Sequence, residues 1–151
     1  MHISNTDAPK VCCICVQGRQ HKEALTGTRE KATDLLERVH SDICGPMPAP
    51  SLNVEKYFIT FIDKMSGRVS ISLLHSKDGA LPAFEAYRVR AAKACGKEIK
   101  ALRCEGGGEY ISRGFRKYLA ESGIQHLIST PYNPSDNGLA ERMNRMIVEN
   151  A

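Results

Sequence analysis

The most informative segment for the fold is Lys56-Tyr57-Phe58-Ile59-Thr60-Phe61-Ile62-Asp63. Nearly all of its residues are aromatic or β-branched, which predicts a strand that is buried on both faces in the middle of a sheet. A turn at Met65–Gly67 follows, and Arg68–Leu74 then alternates apolar and polar residues. We therefore predict an antiparallel hairpin whose second strand is half exposed to solvent.

The flanking segments extend this hairpin into an α/β fold. Upstream, Arg38–Ile43 alternates with a period of two, which predicts a strand that ends before three closely spaced prolines. Downstream, apolar residues between Lys77 and Ala94 recur every three to four positions, as in an amphipathic helix that Gly96 would end. The sequence after Gly96 predicts two further strands, at Glu98–Arg103 and at Gln125–Ser129. It also predicts a flexible connection at Cys104–Tyr110, a helix capped by Ser112 and a last helix from Asn137. The predicted order is βββαβαβα, a five-stranded mixed sheet with flanking helices.

Composition and charge exclude several classes of protein. Of the 151 residues, 42% are hydrophobic and 25% are charged, which disfavours wholesale disorder, collagen-like repeats and a coiled coil. Every apolar run is far shorter than the ~18 residues that cross a bilayer, and the first seven residues lack the features of a secretory signal. We therefore expect an intracellular protein with no membrane partner. The net charge of +4 permits nucleic-acid binding but does not require it.

Three acidic residues lie at the edges of predicted elements. Asp42 is near the end of the first strand, Glu105 follows the fourth strand, and Glu141 lies in the last helix, with 35 residues between the two glutamates. Carboxylates from separate elements are the ligands that a pair of hard divalent ions needs for phosphodiester transfer. Each acid also has an ordinary explanation, because a strand-end Asp commonly caps a turn and Glu141 has Arg145 at i+4 as a partner.

The last helix has a predicted apolar stripe that fixes the direction of Glu141. At ~100° per residue, Glu141 lies about 200° from Leu139, so it is expected to face away from the core. Arg142 and Arg145 share this outward face, which makes them candidates for contacts with DNA phosphates. The stripe that is expected to face the core consists of Leu139, Met143, Met146 and Ile147.

Several segments together resemble the integrase core of copia-type LTR retrotransposons. They follow the family's order over most of the chain, and they are His40–Met47, Lys56–Phe58 with Phe61–Asp63, Gly107–Tyr110, Pro131–Pro134 and Asn137–Arg145. The resemblance implies a ribonuclease H-like fold. It also implies a polynucleotidyl transferase that trims the DNA ends of the element and joins them to target DNA.

The resemblance further implies a metal site and partners. In the family two Asp and one Glu bind paired Mg²⁺ or Mn²⁺, and Asp42 and Glu141 match the first and last of these acids. Asp63 belongs to a motif strand and is expected to be structural. The implied partner is DNA, both element ends and target, without a small-molecule cofactor, and a homo-oligomer is left open. Nuclear localisation follows from where integration must occur.

The second acid departs from the family pattern. Where the family has Asp-Asn-Gly-Gly-Glu-Tyr, this chain has Glu105-Gly106-Gly107-Gly108-Glu109-Tyr110. Glu105 keeps the carboxylate but adds a methylene, which displaces the ligand oxygens by about 1 Å, a misplacement that can cost ~10²-fold in rate. Two hypotheses follow. The chain is either an integrase core that performs two-metal phosphodiester transfer or a catalytically dead nucleic-acid-binding remnant of a decayed element.

A cysteine cluster near the N-terminus suggests a second, smaller region. Cys12 and Cys15 resemble the cysteine half of the zinc-binding domain that precedes these cores, but the histidine pair of that domain is not found upstream. Because structural Zn²⁺ needs four ligands, we expect ordinary thiols here rather than a zinc site. We predict a poorly ordered remnant at residues 1–30 and an integrase core at residues 31–151 that ends within its last helix.

Overall fold

Five strands form one mixed sheet in the computed structural model, which describes residues 32–49, 51–129 and 137–150. The strands are β1 (Arg38–Cys44), β2 (Tyr57–Asp63), β3 (Val69–Leu74), β4 (Ala101–Cys104) and β5 (Gln125–Ile128). Their order across the sheet is β3-β2-β1-β4-β5. Antiparallel pairing joins β3, β2 and β1, whereas β4 and β5 continue the sheet in parallel. The predicted α/β class and five-stranded mixed sheet are confirmed.

Four α-helices accompany the sheet in the described part of the chain: α1 (Ala80–Cys95), α2 (Gly108–Ile111), α3 (Arg113–Glu121) and α4 (Gly138–Glu149). Gly96 ends α1 in the left-handed conformation with φ 68°, and Ser112 Oγ caps α3 by accepting a hydrogen bond from the Phe115 N–H at 3.3 Å. Both termini agree with the sequence prediction. None of the described helices combines the length and the apolar character that a membrane span requires.

The aromatic core lies between one face of the sheet and helices α1 to α3. The Phe61 ring of β2 stacks on Tyr87 of α1 with ring centroids 4.6 Å apart, and Phe84 of α1 packs against Phe115 of α3 at 5.6 Å. All four side chains are buried. Aromatic pairs of this kind bury large apolar areas and favour defined ring geometries. They hold α1 and α3 against the sheet on the side opposite α4.

The connection after β4 is helical where we predicted a flexible loop. Residues Gly108–Ile111 form α2, because Tyr110 anchors this segment in the core. Its side chain is 1% exposed, its ring contacts Phe115 at 5.5 Å, and its hydroxyl shares a hydrogen bond of 2.8 Å with Ser41 Oγ. The buried side chain of Tyr110 thus orders this segment, which the glycines at 106–108 would otherwise leave mobile.

Helix α4 packs on the second face of the sheet through small residues and Asn144, so the predicted apolar stripe is not the buried face of the helix. Its buried residues are Gly138, Ala140 and Asn144, whereas Met146 is 50% exposed. The reason lies in the sheet, since this face of β1 and β2 carries polar side chains such as His40 and Thr60. Small and hydrogen-bonding residues on α4 match that surface better than long apolar side chains do.

The residue after β1 offers a test of the backbone geometry. Gly45 has φ 130°, and a Cβ there would lie 2.6 Å from the Lys56 carbonyl oxygen. We expect Gly45→Ala to lower the free energy of unfolding by about 2 kcal/mol, because it adds a clash with backbone to a strained φ. Gly67→Ala is the matched control, since Gly67 has φ 70° but open space around it. Equal losses in urea unfolding would contradict the role of the clash.

Candidate functional site

The three predicted acids come from elements that meet at one edge of the sheet. Asp42 lies near the carboxyl end of β1, and Glu105 directly follows β4, the parallel neighbour of β1. Because the carboxyl ends of parallel strands lie at the same edge of a sheet, the two residues leave the sheet on the same side. Glu141 lies in the first turn of α4, which packs on β1 and β2.

Mutual electrostatic effects show how closely these side chains approach one another. The pKa of Asp42 is raised to about 6: burial is the largest cause and the charges of Glu141 and Glu109 act in the same direction, while hydrogen bonds from the Ile43 N–H and Asn144 act against them. Burial is also the largest cause that raises the pKa of Glu105, followed by the Asp42 charge and a hydrogen bond with Glu141. Asp42, Glu105 and Glu141 therefore lie near enough for their charges to act on one another, although they do not form a ligand cluster in the described part of the chain.

A fourth carboxylate, Glu109, joins this cluster and was missed by the sequence reasoning. It lies on α2 and its charge acts on both Asp42 and Glu105. Its carboxylate folds back over Gly107, where an added Cβ would lie 2.6 Å from Glu109 Oε1. The sequence offered one indication of this role, the position of Glu109 in the segment Gly107–Tyr110. The neighbouring residues did not indicate that this segment turns toward Asp42.

The chemistry of this cluster fits a hard divalent cation. All four groups offer carboxylate oxygens, which are the ligands that Mg²⁺ and Mn²⁺ prefer. The charges that raise the pKa of Asp42 and Glu105 are all negative, so a bound cation would relieve repulsion. In the described ranges, however, no three His, Cys, Asp or Glu side chains already form a ligand cluster. The donors fit the ion, and their side chains would have to converge to bind it.

Asn144 links α4 to the Asp42 carboxylate. Its Nδ2 donates to Asp42 Oδ2 at 2.8 Å, and its Oδ1 accepts from Thr60 Oγ1 at 2.9 Å. Asn144 is 5% exposed and Thr60 is fully buried. Buried amide and hydroxyl groups are stable only when they are hydrogen-bonded, so this chain of bonds fixes both the helix and one oxygen of Asp42.

A second asparagine docks the start of α4. Asn137 is fully buried and its Nδ2 donates to the Ser41 carbonyl at 3.1 Å, while its Oδ1 lies 3.4 Å from His40 Nδ1. Burial lowers the pKa of His40 to about 4, so the ring is neutral at pH 7 and Nδ1–H is the donor to Asn137. His40 therefore acts in docking the helix, and neither asparagine was assigned a role from the sequence.

Asp63, Arg142 and Arg145, which the sequence also singled out, have defined positions in the fold. Asp63 is structural as expected, because its Oδ1 accepts from the Leu36 N–H at 3.0 Å and its Oδ2 accepts from Ser66 Oγ at 2.6 Å. Arg142 and Arg145 are exposed on α4. Cys12 and Cys15, like the rest of residues 1–30, lie outside the described residues.

An open cavity borders the acidic cluster. Its volume is about 400 Å³, and it is lined by Lys77, Asp78, Leu81, Gly108, Glu109 and Ser112. Lys77 and Ser112 offer groups that commonly contact phosphate, and Glu109 connects the cavity to the other carboxylates.

Comparison with known proteins adds an independent line of information. A family model described as "Integrase core domain" matches residues 32–134. A retrovirus-related Pol polyprotein of a transposon from Nicotiana tabacum is 40% identical over 140 residues, which cover 93% of this chain and 10% of the polyprotein. Another from Arabidopsis thaliana is 28% identical over 138 residues, with coverages of 91% and 9%. The chain thus spans about a tenth of the length of these relatives.

A solved structure shows the same fold. One chain in the cryo-EM structure of a simian T-cell lymphotropic virus intasome in complex with PP2A regulatory subunit B56 gamma superposes with a TM-score of 0.66. The sequence identity is 23%, and the match covers 89% of this chain and 46% of that chain. The predicted ribonuclease H-like architecture is thereby confirmed, because the neighbour shares the arrangement of the sheet and its flanking helices.

Proposed function

Since this chain belongs to the integrase core domain family, we propose that it is the DNA strand-transfer core of a retrotransposon integrase. The observation that carries the proposal is that Asp42, Glu105 and Glu141 come from three separate elements to the same edge of the sheet, where the pKa values of Asp42 and Glu105 are raised. Uncompensated carboxylates at one sheet edge are costly in a metal-free protein. Such a cost is typical of a site that is built for a cation.

Asp42, Glu105 and Glu141 would hold a pair of Mg²⁺ or Mn²⁺ ions through their carboxylate oxygens. When bound, such ions lower the pKa of an attacking hydroxyl or water and stabilise the leaving oxygen in phosphodiester transfer. The protein positions the ligands, because Asn144 holds one oxygen of Asp42 and leaves the other to accept from the Ile43 N–H or bind metal. Arg142 and Arg145, exposed on the helix of Glu141, would contact DNA phosphates.

A catalytically dead remnant that still binds nucleic acid is the second candidate. Two observations favour it: Glu105 is exposed after β4, and the described carboxylates do not yet form a ligand cluster. In this case the fold and the exposed arginines of α4, Arg142 and Arg145, are retained. The carboxylate of Glu105, however, is displaced too far to support the reaction. The two candidates differ in what a shorter acid at position 105 would do.

The substitution Glu105→Asp separates the two candidates. If the extra methylene is the main defect, the variant should nick supercoiled plasmid DNA about 10²-fold faster than the parent chain in Mn²⁺, because the ligand oxygens return to their working position. Glu149→Asp is the matched control, since it shortens an exposed carboxylate at the far end of α4, outside the acidic cluster. Addition of Asp42→Asn to Glu105→Asp should remove the gained activity.

An unchanged rate would favour the remnant. Nicking that persists in the Glu105→Asp, Asp42→Asn double variant would point to a contaminating nuclease. The proposal also implies action on element and target DNA in the nucleus. A homo-oligomer, and a remnant of the zinc-binding region at residues 1–30 that holds no zinc, remain part of the proposal.

A further inference from the structure

A pocket opens at the end of the sheet opposite the acidic cluster. Its volume is about 420 Å³, and part of its wall is apolar, formed by Leu35 and Leu36 before β1 and by Ala91 and Ala94 of α1. Leu36 lies in the turn before β1, and the four residue steps of the strand from Arg38 to Asp42 separate the pocket from the Asp42 carboxylate by at least about 13 Å. Small-molecule sites commonly have this size and a mostly apolar lining with a few polar groups.

One of those polar groups is the hydroxyl of Tyr87. The residue is 5% exposed, and stacking on Phe61 fixes its ring. The Tyr87 hydroxyl lies near Asp63, Arg68 and Cys95, all of which line the pocket, since their charges act on its pKa. Among the described residues it has no hydrogen-bond partner. The hydroxyl is the part of Tyr87 that still contacts solvent, and an acceptor on a ligand in the pocket could bind it in place of water.

Two arginines give the pocket a positive balance. Arg68 and Arg90 line it, and neither forms an ion pair with an acid in the described ranges. The one acidic wall residue, Asp63, is already engaged by the Leu36 N–H and by Ser66. The Cys95 thiol donates to the Ala91 carbonyl, so it does not compete for the Tyr87 hydroxyl. The Asp63 charge acts on the Tyr87 hydroxyl more strongly than Arg68 does, but the two guanidinium groups still outnumber the one carboxylate of the wall and favour a negatively charged ligand.

We propose that this pocket binds a small organic monoanion with an apolar body, such as an arylalkyl carboxylate. The carboxylate accepts from the Tyr87 hydroxyl and pairs with Arg68, and Arg90 adds attraction at the mouth. The apolar body packs on Leu36 and Ala94. Burial raises the pKa of Tyr87 to about 12, so its hydroxyl remains a donor at neutral pH. This site is independent of metal, DNA and the proposed strand transfer.

Titration of the full chain with 4-phenylbutyrate tests the site. The amide resonances of Leu36, Ser70 and Ala94 in ¹⁵N–¹H NMR spectra should shift with one saturable curve, with a dissociation constant on the order of 1 mM for a ligand of this size. The neutral analogue 4-phenylbutan-1-ol, which has the same body, should bind at least about fivefold more weakly because it lacks the charge-assisted bonds.

Variants locate the binding groups. Tyr87→Phe removes one hydroxyl and keeps the stacked ring, and it should weaken 4-phenylbutyrate about fivefold; Arg68→Gln should do the same. Arg116→Gln, an exposed arginine of α3 outside the pocket, is the control and should leave the dissociation constant unchanged. The absence of saturable shifts, equal binding of acid and alcohol, or shifts confined to the arginines of α4 would each overturn the proposal.

Discussion

The variant Asp42→Asn is expected to be more stable than the parent chain at pH 7 without metal. Burial raises the pKa of Asp42 from its ordinary value of 3.8 to about 6. The folded protein therefore binds this proton more tightly than the unfolded chain does, and the stability contributed by Asp42 falls as pH rises from about 4 to about 6. Asn does not ionise, so the variant should gain up to about 3 kcal/mol at pH 7.

The same substitution should abolish stabilisation by Mn²⁺. At about 100 times its dissociation constant, a bound ion adds about 2.7 kcal/mol to the parent chain, and without the Asp42 carboxylate this gain should be lost. Thermal melts at pH 5 and pH 7, each with and without Mn²⁺, measure both effects in one experiment. At pH 5 the difference between variant and parent should shrink, because the parent carboxyl is then mostly protonated.

Asp78→Asn is a suitable control for these melts. Asp78 is exposed and lies outside the cluster that acts on Asp42, so its replacement should change neither the pH dependence nor the response to Mn²⁺. If the melting temperature of the parent chain changes with neither pH nor Mn²⁺, burial does not raise the pKa of Asp42 and Asp42 is not part of a cation site. The proposed metal-dependent reaction would then lose its physical basis.

The strands and helices could be predicted because their signals are local. The run Tyr57–Asp63 has too many β-branched and aromatic residues for an edge strand, and it is indeed flanked by β1 and β3. Gly96 and Ser112 marked helix ends because their roles depend on their own backbone or hydroxyl group. Such signals need no knowledge of the tertiary structure.

The buried face of α4 could not be predicted in this way. Hydrophobicity selects the stripe that contains Met146, but the helix turns Asn144 to the sheet because the facing strand offers Thr60, 84 residues earlier in the chain. Long-range polar pairing of this kind depends on the strand register. The position of Glu109 was missed for a similar reason, since only the anchoring of Tyr110 brings α2 toward Asp42.

The substitution Asn144→Ala should lower the free energy of unfolding by about 3 kcal/mol. It removes the donor to Asp42 and the acceptor for Thr60, and it leaves two buried polar groups with one fewer partner each. Urea unfolding of the metal-free chain measures the loss. Asn150→Ala is the matched control, because the Asn150 side chain makes only an exposed bond to the Met146 carbonyl and its removal should cost less than about 1 kcal/mol.

The network should also control the ionisation of Asp42. The hydrogen bond from Asn144 lowers the pKa of Asp42, so Asn144→Ala should move that pKa above about 6, as a ¹³C NMR titration of the carboxyl would show. Thr60→Val keeps the shape of the side chain but leaves Asn144 Oδ1 without its donor, and the two substitutions should couple by about 1 kcal/mol in a double-mutant cycle. Additive losses with an unchanged pKa would mean that Asn144 fills space under α4 without orienting the carboxylate. Coupled losses with a raised pKa would mean that the sheet, the helix and the Asp42 ligand oxygen are positioned as one unit.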